Sequence, residues 1–122
     1  MSRVWIITAA VVAMAQVANA AHRHPERWYQ EQWCNARGGQ MEIILEDGTR
    51  VDCLLPGHAV EFDFADKWAE SVGQALNYAR LTGRRPGVVL IIAGPEDKGK
   101  SARVRNIFRH YGVAGDVWEV LE

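Results

Sequence analysis

The stretch VDCLLPGHAVEFDFADKWAESVGQALNYA (residues 51–79) decides the fold. Pro56-Gly57 is a turn-forming pair between two runs of strand-forming residues, and a helical pattern follows. With Leu55-Pro56-Gly57-His58 as a tight turn, Leu55 faces His58, Leu54 faces Ala59, Cys53 faces Val60 and Asp52 lies opposite Glu61. Pro-Gly favours a type II turn, which suits hairpins less well than the primed types. A four-residue loop keeps this pairing and a three-residue one breaks it. Side chains alternate along a strand, so Asp63 shares a face with Glu61 while Val60, Phe62 and Phe64 take the other.

Three acids on one sheet face repel one another, and a divalent cation held by oxygen ligands is the commonest compensation. That points to a metal. In the helix, Lys67, Ser71, Gln74 and Tyr78 recur at spacings of four, three and four, forming a polar stripe that can look onto the acids, beside the apolar Trp68, Val72, Ala75, Leu76 and Ala79. Lys67, directly after the strand, is placed to hold a phosphate or a metal-bound water. The bland alternative is a solvated sheet face on which Lys67 is a salt-bridge partner.

Outward from this stretch, ERWYQEQWCNAR (26–37) reads as a first helix that ends at Gly38-Gly39. MEIIL and RVDCLL flank an Asp47-Gly48 turn as strands. GVVLIIA (87–93) reads as a strand buried on both faces, a basic helix runs from about Lys100 to Tyr111, and DVWEVL is a last short strand. The expected order is αβββαβαβ: an α/β fold with a mixed central sheet flanked by helices.

The 122 residues, 48% apolar and 24% charged, fit one small domain and exclude a disordered or fibrous chain. Residues 1–20 read as a signal peptide, with Arg3, the apolar VWIITAAVVAMA and the small-residue site Ala18-Asn19-Ala20. A retained anchor or a misassigned start codon are the alternatives. The domain is then 21–122, periplasmic or secreted and without stable membrane association, or cytoplasmic if the start is misassigned. Cys34 and Cys53 suit one bridge in an exported protein, or two buried free thiols.

Net charge is −1, so bulk electrostatics announce no nucleic-acid partner. Its distribution is uneven: acids dominate residues 26–70, whereas bases dominate residues 80–109. GPEDKGKS (94–101) matches the phosphate-loop pattern G-x-x-x-x-G-K-[ST]. Only 21 residues follow Ser101, too few for the remaining strands of a nucleotide fold. Glu96 and Asp97 also oppose polyphosphate. The expectation is a polar strand-to-helix turn and no ATP.

Asp52, Glu61, Gln74 and Tyr78, in this order of elements, resemble the PD-(D/E)XK (restriction-endonuclease-like) nuclease superfamily. Its core is a helix, three antiparallel strands, a helix and a fourth strand, with Asp on the second strand, Glu-x-Lys on the third, and often Gln and Tyr on the next helix. The resemblance covers almost the whole mature chain. Some members add a glutamate on the first helix, and Glu26, on the stripe of Tyr29 and Trp33, is the candidate. This sequence departs at Asp63, which stands where the family has lysine; Lys67 resembles a migrated replacement. The resemblance implies hydrolysis of phosphodiester bonds in DNA or RNA. Asp52, Glu61 and Glu26 would hold Mg2+ or Mn2+, Lys67 would orient water or stabilise developing charge, and Gln74 and Tyr78 would support the site. Arg84, Arg85, Lys100, Arg103 and Arg105 would hold a nucleic-acid backbone. The rivals are a catalytically inactive, exported nuclease-fold module that binds nucleic acid or a protein partner, and a structural domain pinned by a Cys34–Cys53 bridge.

Overall fold

The computed structural model describes residues 22–122; the signal-peptide reading of residues 1–20 lies outside them. Helix α1 (Glu26–Ala36) leads into strands β1 (Gln40–Ile44), β2 (Arg50–Leu54) and β3 (His58–Phe64). Helix α2 (Trp68–Thr82), strand β4 (Arg85–Ile92), helix α3 (Lys100–His110) and strand β5 (Asp116–Leu121) complete the order αβββαβαβ. Single 3-10 turns, Ala65–Lys67 and Pro95–Asp97, precede α2 and α3. Among the described residues no helix is long and apolar enough to cross a membrane.

The strands form one sheet in the order β1-β2-β3-β4-β5. The β1–β2 and β2–β3 pairs are antiparallel, joined by tight turns, whereas β3, β4 and β5 run parallel because α2 and α3 cross between them. The Pro56-Gly57 turn is the two-residue form: Leu55 N–H donates to His58 O at 2.9 Å and His58 N–H returns to Leu55 O at 3.4 Å. The register Leu54–Ala59 and Cys53–Val60 follows as expected. Beyond Cys53 the ladder stops, while β3 continues to pair with β4 as far as Phe64–Ile91. A gap therefore opens beside Glu61 and Asp63.

Two apolar layers enclose the sheet. On one face Tyr29, Trp33 and Cys34 of α1 pack on Cys53, Val60, Phe62, Val89 and Ile91. On the other, Ala75 of α2 and Val104 and Phe108 of α3 pack on Val88, Leu90 and Val117. Strand β4 is buried on both faces, as its unbroken apolar run requires. At the outer end of β5, Asp116 accepts from His58 Nε2 at 2.6 Å and pairs with Arg85, tying together the first residues of three parallel strands.

Helix α2 is turned further toward the sheet than its apolar pattern implies. Its buried residues are Ser71, Ala75 and Tyr78, and Leu76 is 38% exposed. The Ser71 hydroxyl finds a carboxylate partner on β3 and the Tyr78 hydroxyl the Gln74 amide, which offsets the cost of burying them. Gly83 ends α2 in the left-handed conformation (φ 70°), where a side chain would be strained.

Cys34 and Cys53 form a disulfide that joins α1 to β2 across the first layer. Gly39 packs against it: a Cβ there would lie 2.6 Å from one sulfur and 2.7 Å from the other. Because the bond closes a loop over a sequence separation of 19 residues, its loss enlarges the unfolded ensemble. The Cys34→Ser/Cys53→Ser variant is expected to lose about 2–4 kcal/mol in urea denaturation. An unchanged midpoint and slope would contradict that contribution.

Candidate metal centre

The gap between β2 and β3 is built by two irregularities. Glu42 has φ 59°, unusual for a residue other than glycine, and the β1–β2 register passes over the Glu42–Asp52 position. Gln30 of α1, buried at that point, donates from Nε2 to the backbone O of Asp52 at 2.8 Å and to Glu42 Oε1 at 3.3 Å. Side-chain alternation breaks here: Cys53 faces α1, yet Val51 packs with Ala59 and Tyr78 on the α2 side. The Asp52 carboxylate then accepts the Phe62 N–H at 2.8 Å, capping a β3 donor that has lost its strand partner.

Four acids meet in this gap. Carboxylate oxygens of Glu26, Glu61 and Asp63 lie within 4.8 Å of one another, and Asp52 is hydrogen-bonded to Glu61. Glu26 comes from the first turn of α1 in the opposite layer, reaching the β3 acids where β2 has left the sheet. Glu61 and Asp63 are buried and Glu26 is half-buried. Helix α2 holds the β3 pair from the far side. Ser71 Oγ donates to Asp63 at 2.7 Å, Gln74, with its NH2 turned to Glu61, donates to Oε1 at 3.1 Å, and the Tyr78 hydroxyl lies 3.5 Å from the Gln74 amide.

Burial and mutual repulsion push these acids toward their neutral forms. Glu61 is raised to about 11, first by burial and then by its hydrogen bond to Asp52 and the charges of Asp52 and Asp63. Glu26 is raised to about 8 by burial, with Asp63 and Asp52 adding to it and Lys67 opposing. Asp63 is raised to about 6 by burial, against the Ser71 hydrogen bond and Lys67. Burial also raises Asp52, though its bonds to Glu61 and Phe62 pull the other way. The Tyr78 phenol is pushed up by burial and by Glu61.

The donor set fits a hard divalent cation. All its atoms are carboxylate oxygens, and ligands across an ion at about 2.1–2.4 Å would stand about 4.2–4.8 Å apart. The set differs in one member from the expected Asp52, Glu61 and Glu26: the mutually close trio contains Asp63, and Asp52 stands beside it bound to Glu61. Lys67 is exposed and, among the described residues, makes no ion pair. Its charge acts on Glu26 and Asp63 through space. Next to the acids a cleft of about 490 Å3 opens between β2 and α2, lined by Arg50, Asp52, Gly73, Gln74, Asn77 and Tyr78.

Sequence reasoning missed Gln30 and Arg50. Gln30 is four residues from Glu26 on the same helical face, a spacing that marks it as a neighbour of the site. Arg50 sits at the cleft mouth, paired with Glu42 at 2.7 Å. The five expected backbone-binding bases are not gathered on one surface. Arg84 donates to Leu55 O and Arg85 pairs with Asp116, both at the N-terminal end of β4. Lys100 lies at the other end, paired with Asp97 at 3.0 Å, and Arg103 lies over the Trp68 ring. Arg105 donates to Val117 O at 3.1 Å. In the residue 94–101 loop, Asp97 takes both the Ala93 N–H and Lys100, the groups a phosphate would need.

No family model matches the chain, nor does any curated protein or solved structure.

Unfolded, these carboxylates titrate near 3.8 and 4.5; folded, Asp63, Glu26 and Glu61 titrate near 6, 8 and 11. Between those limits the folded chain binds more protons than the unfolded one, so stability is full at the acid end and falls as pH rises. Metal-free protein is expected to lose melting temperature steadily from about pH 5 to pH 8. Glu61→Gln should be the more stable protein at pH 8, and a flat profile for the wild type would refute the clustering of charge.

Proposed function

We propose that the chain is a metal-dependent phosphodiesterase of the restriction-endonuclease-like kind, exported and acting on nucleic acid. The observation that carries this reading is the convergence of Glu26, Glu61 and Asp63, from two layers, into an oxygen-only trio in which burial and mutual charge push all three toward their neutral forms. The Asp-on-β2, Glu-on-β3, Gln-and-Tyr-on-α2 pattern supports it, as does the order αβββαβαβ. The disulfide is compatible with an oxidising compartment.

Glu26, Glu61 and Asp63 would hold Mg2+ or Mn2+, with Asp52 alongside. A bound ion of this kind polarises a phosphoryl oxygen and lowers the pKa of water. Gln74 fixes the Glu61 carboxyl group by donating to it, with Tyr78 packed against the Gln74 amide, and Ser71 does the same for Asp63, so the ligands are oriented before substrate arrives. Lys67, exposed at the start of α2, supplies positive charge beside the acids, where a pentacovalent phosphate would gather negative charge. Arg50, at the cleft mouth, can meet a phosphate on the adjoining stretch of the strand.

One observation favours a second reading. Asp63 stands where the resembled family has lysine, and the acid side chain belongs to the carboxylate trio. A module that binds metal and nucleic acid without cutting would tolerate that exchange.

Incubation of plasmid and single-stranded DNA with manganese separates the two. The hydrolase reading expects cleavage by the wild type, abolished by EDTA and by Glu61→Ala, and slowed about 100-fold or more by Lys67→Ala. Manganese that raises the melting temperature while both substrates stay intact would favour the binding module.

A further inference from the structure

Helix α3 carries Lys100, Arg103, Arg105, Arg109 and His110 and no acid. Lys100 and Arg105 are engaged by Asp97 and by Val117 O. Among the described residues Arg103, Arg109 and His110 belong to no ion pair. Gly99, Arg103, Asn106 and His110 follow one another at spacings of four, three and four and so form a single stripe along the helix. A shallow, open groove of about 490 Å3 runs along the stripe, over the small residues Gly99 and Ala102. Tyr111 closes its far end, 75% exposed and meeting His110 edge-to-face at 4.8 Å.

We infer that this groove is a binding surface for single-stranded nucleic acid. The inference rests on the hydrolase reading for its relation to the carboxylates and extends it to the strandedness of the substrate. Arg103 offers positive charge to phosphates, His110 a ring nitrogen for hydrogen bonding, Asn106 both a donor and an acceptor to base edges, and Tyr111, 75% exposed, an aromatic ring for stacking. Each match is to a different part of a nucleotide. A base can stack on Tyr111 only when its own face is uncovered, which holds in a single strand and not within a duplex. An acidic polypeptide would meet the cations but leave the ring and the groove unused.

The test is fluorescence anisotropy in EDTA with a labelled oligothymidylate of about 12 nucleotides, a duplex of equal length and polyglutamate as competitor. The single strand is expected to bind more tightly than the duplex. Tyr111→Ala should weaken strand binding about 5- to 30-fold, Tyr111→Phe should restore it, and Arg103→Gln should lower the salt slope by about one. Tyr111 lies outside the core, and melting curves of the variants verify that they are folded. Equal affinity of Tyr111→Ala and wild type for the strand overturns the inference, as does preference for the duplex or displacement by polyglutamate at equal charge. Hydrolysis of a small chromogenic phosphodiester by the wild type with manganese is read in parallel. Turnover there with no Tyr111 effect removes the groove and leaves the hydrolase reading; a Tyr111 effect without turnover does the reverse.

Discussion

The hydrogen bond from the Phe62 N–H to the Asp52 carboxylate is the contact on which the site depends. A buried backbone donor in mid-strand has to be satisfied, and here a side chain replaces the neighbouring strand. Strand β2 is thereby free to leave β3 after Cys53, and β3 keeps its pairing only on the β4 side. Without that parting, α1 could not pass Glu26 through to Glu61 and Asp63, since an intact sheet would separate the two layers. The same carboxylate also binds Glu61, so one residue both opens the gap and closes the ring of acids within it.

Such a cluster is a liability that the rest of the fold has to carry. The disulfide and Gln30 fasten α1 to β2 on one side of the gap, and both lie in the buried layer rather than at its rim. Strand β4, apolar on both faces, and the His58–Asp116–Arg85 cluster secure the parallel half of the sheet at a distance from the acids. Stability is thus concentrated away from the site. The acids are left close together and short of cations, with Lys67 and Arg50 as the nearest positive charges acting on them. A fold selected only for stability would replace at least one of them.

Much of this was legible in the sequence because it follows from local rules. The Pro56-Gly57 turn set the register, strand alternation put Glu61 with Asp63, and the unbroken apolar run at residues 87–93 required a strand covered on both faces. What escaped was non-local. Alternation alone makes Asp52 an ordinary strand residue opposite Glu61; that its carboxylate takes a backbone N–H depends on the positive φ of Glu42 and on Gln30, residues from two other elements. The polar stripe of α2 meets the acids as its spacing allows; the outward turn of Leu76 is what the apolar pattern does not give. Ser71 points inward because it donates to the buried Asp63 carboxyl group, and Tyr78 because its ring packs on Val51 and Ala59 while its hydroxyl meets the Gln74 amide. Alternation places Asp63 among the converging acids, but the resemblance assigns the metal to Asp52, Glu61 and Glu26, whereas the mutually close trio contains Asp63 in place of Asp52.

The central claim is that these acids hold protons they would surrender to a cation. Calorimetric titration of manganese into the protein near pH 7, repeated in buffers of different ionisation enthalpy, counts those protons directly. With Glu61 raised to about 11 and Glu26 to about 8, binding is expected to release between one and two protons per ion, falling by about one in Glu61→Gln. Heats that show no binding, or binding with no proton release in any buffer, would contradict the account.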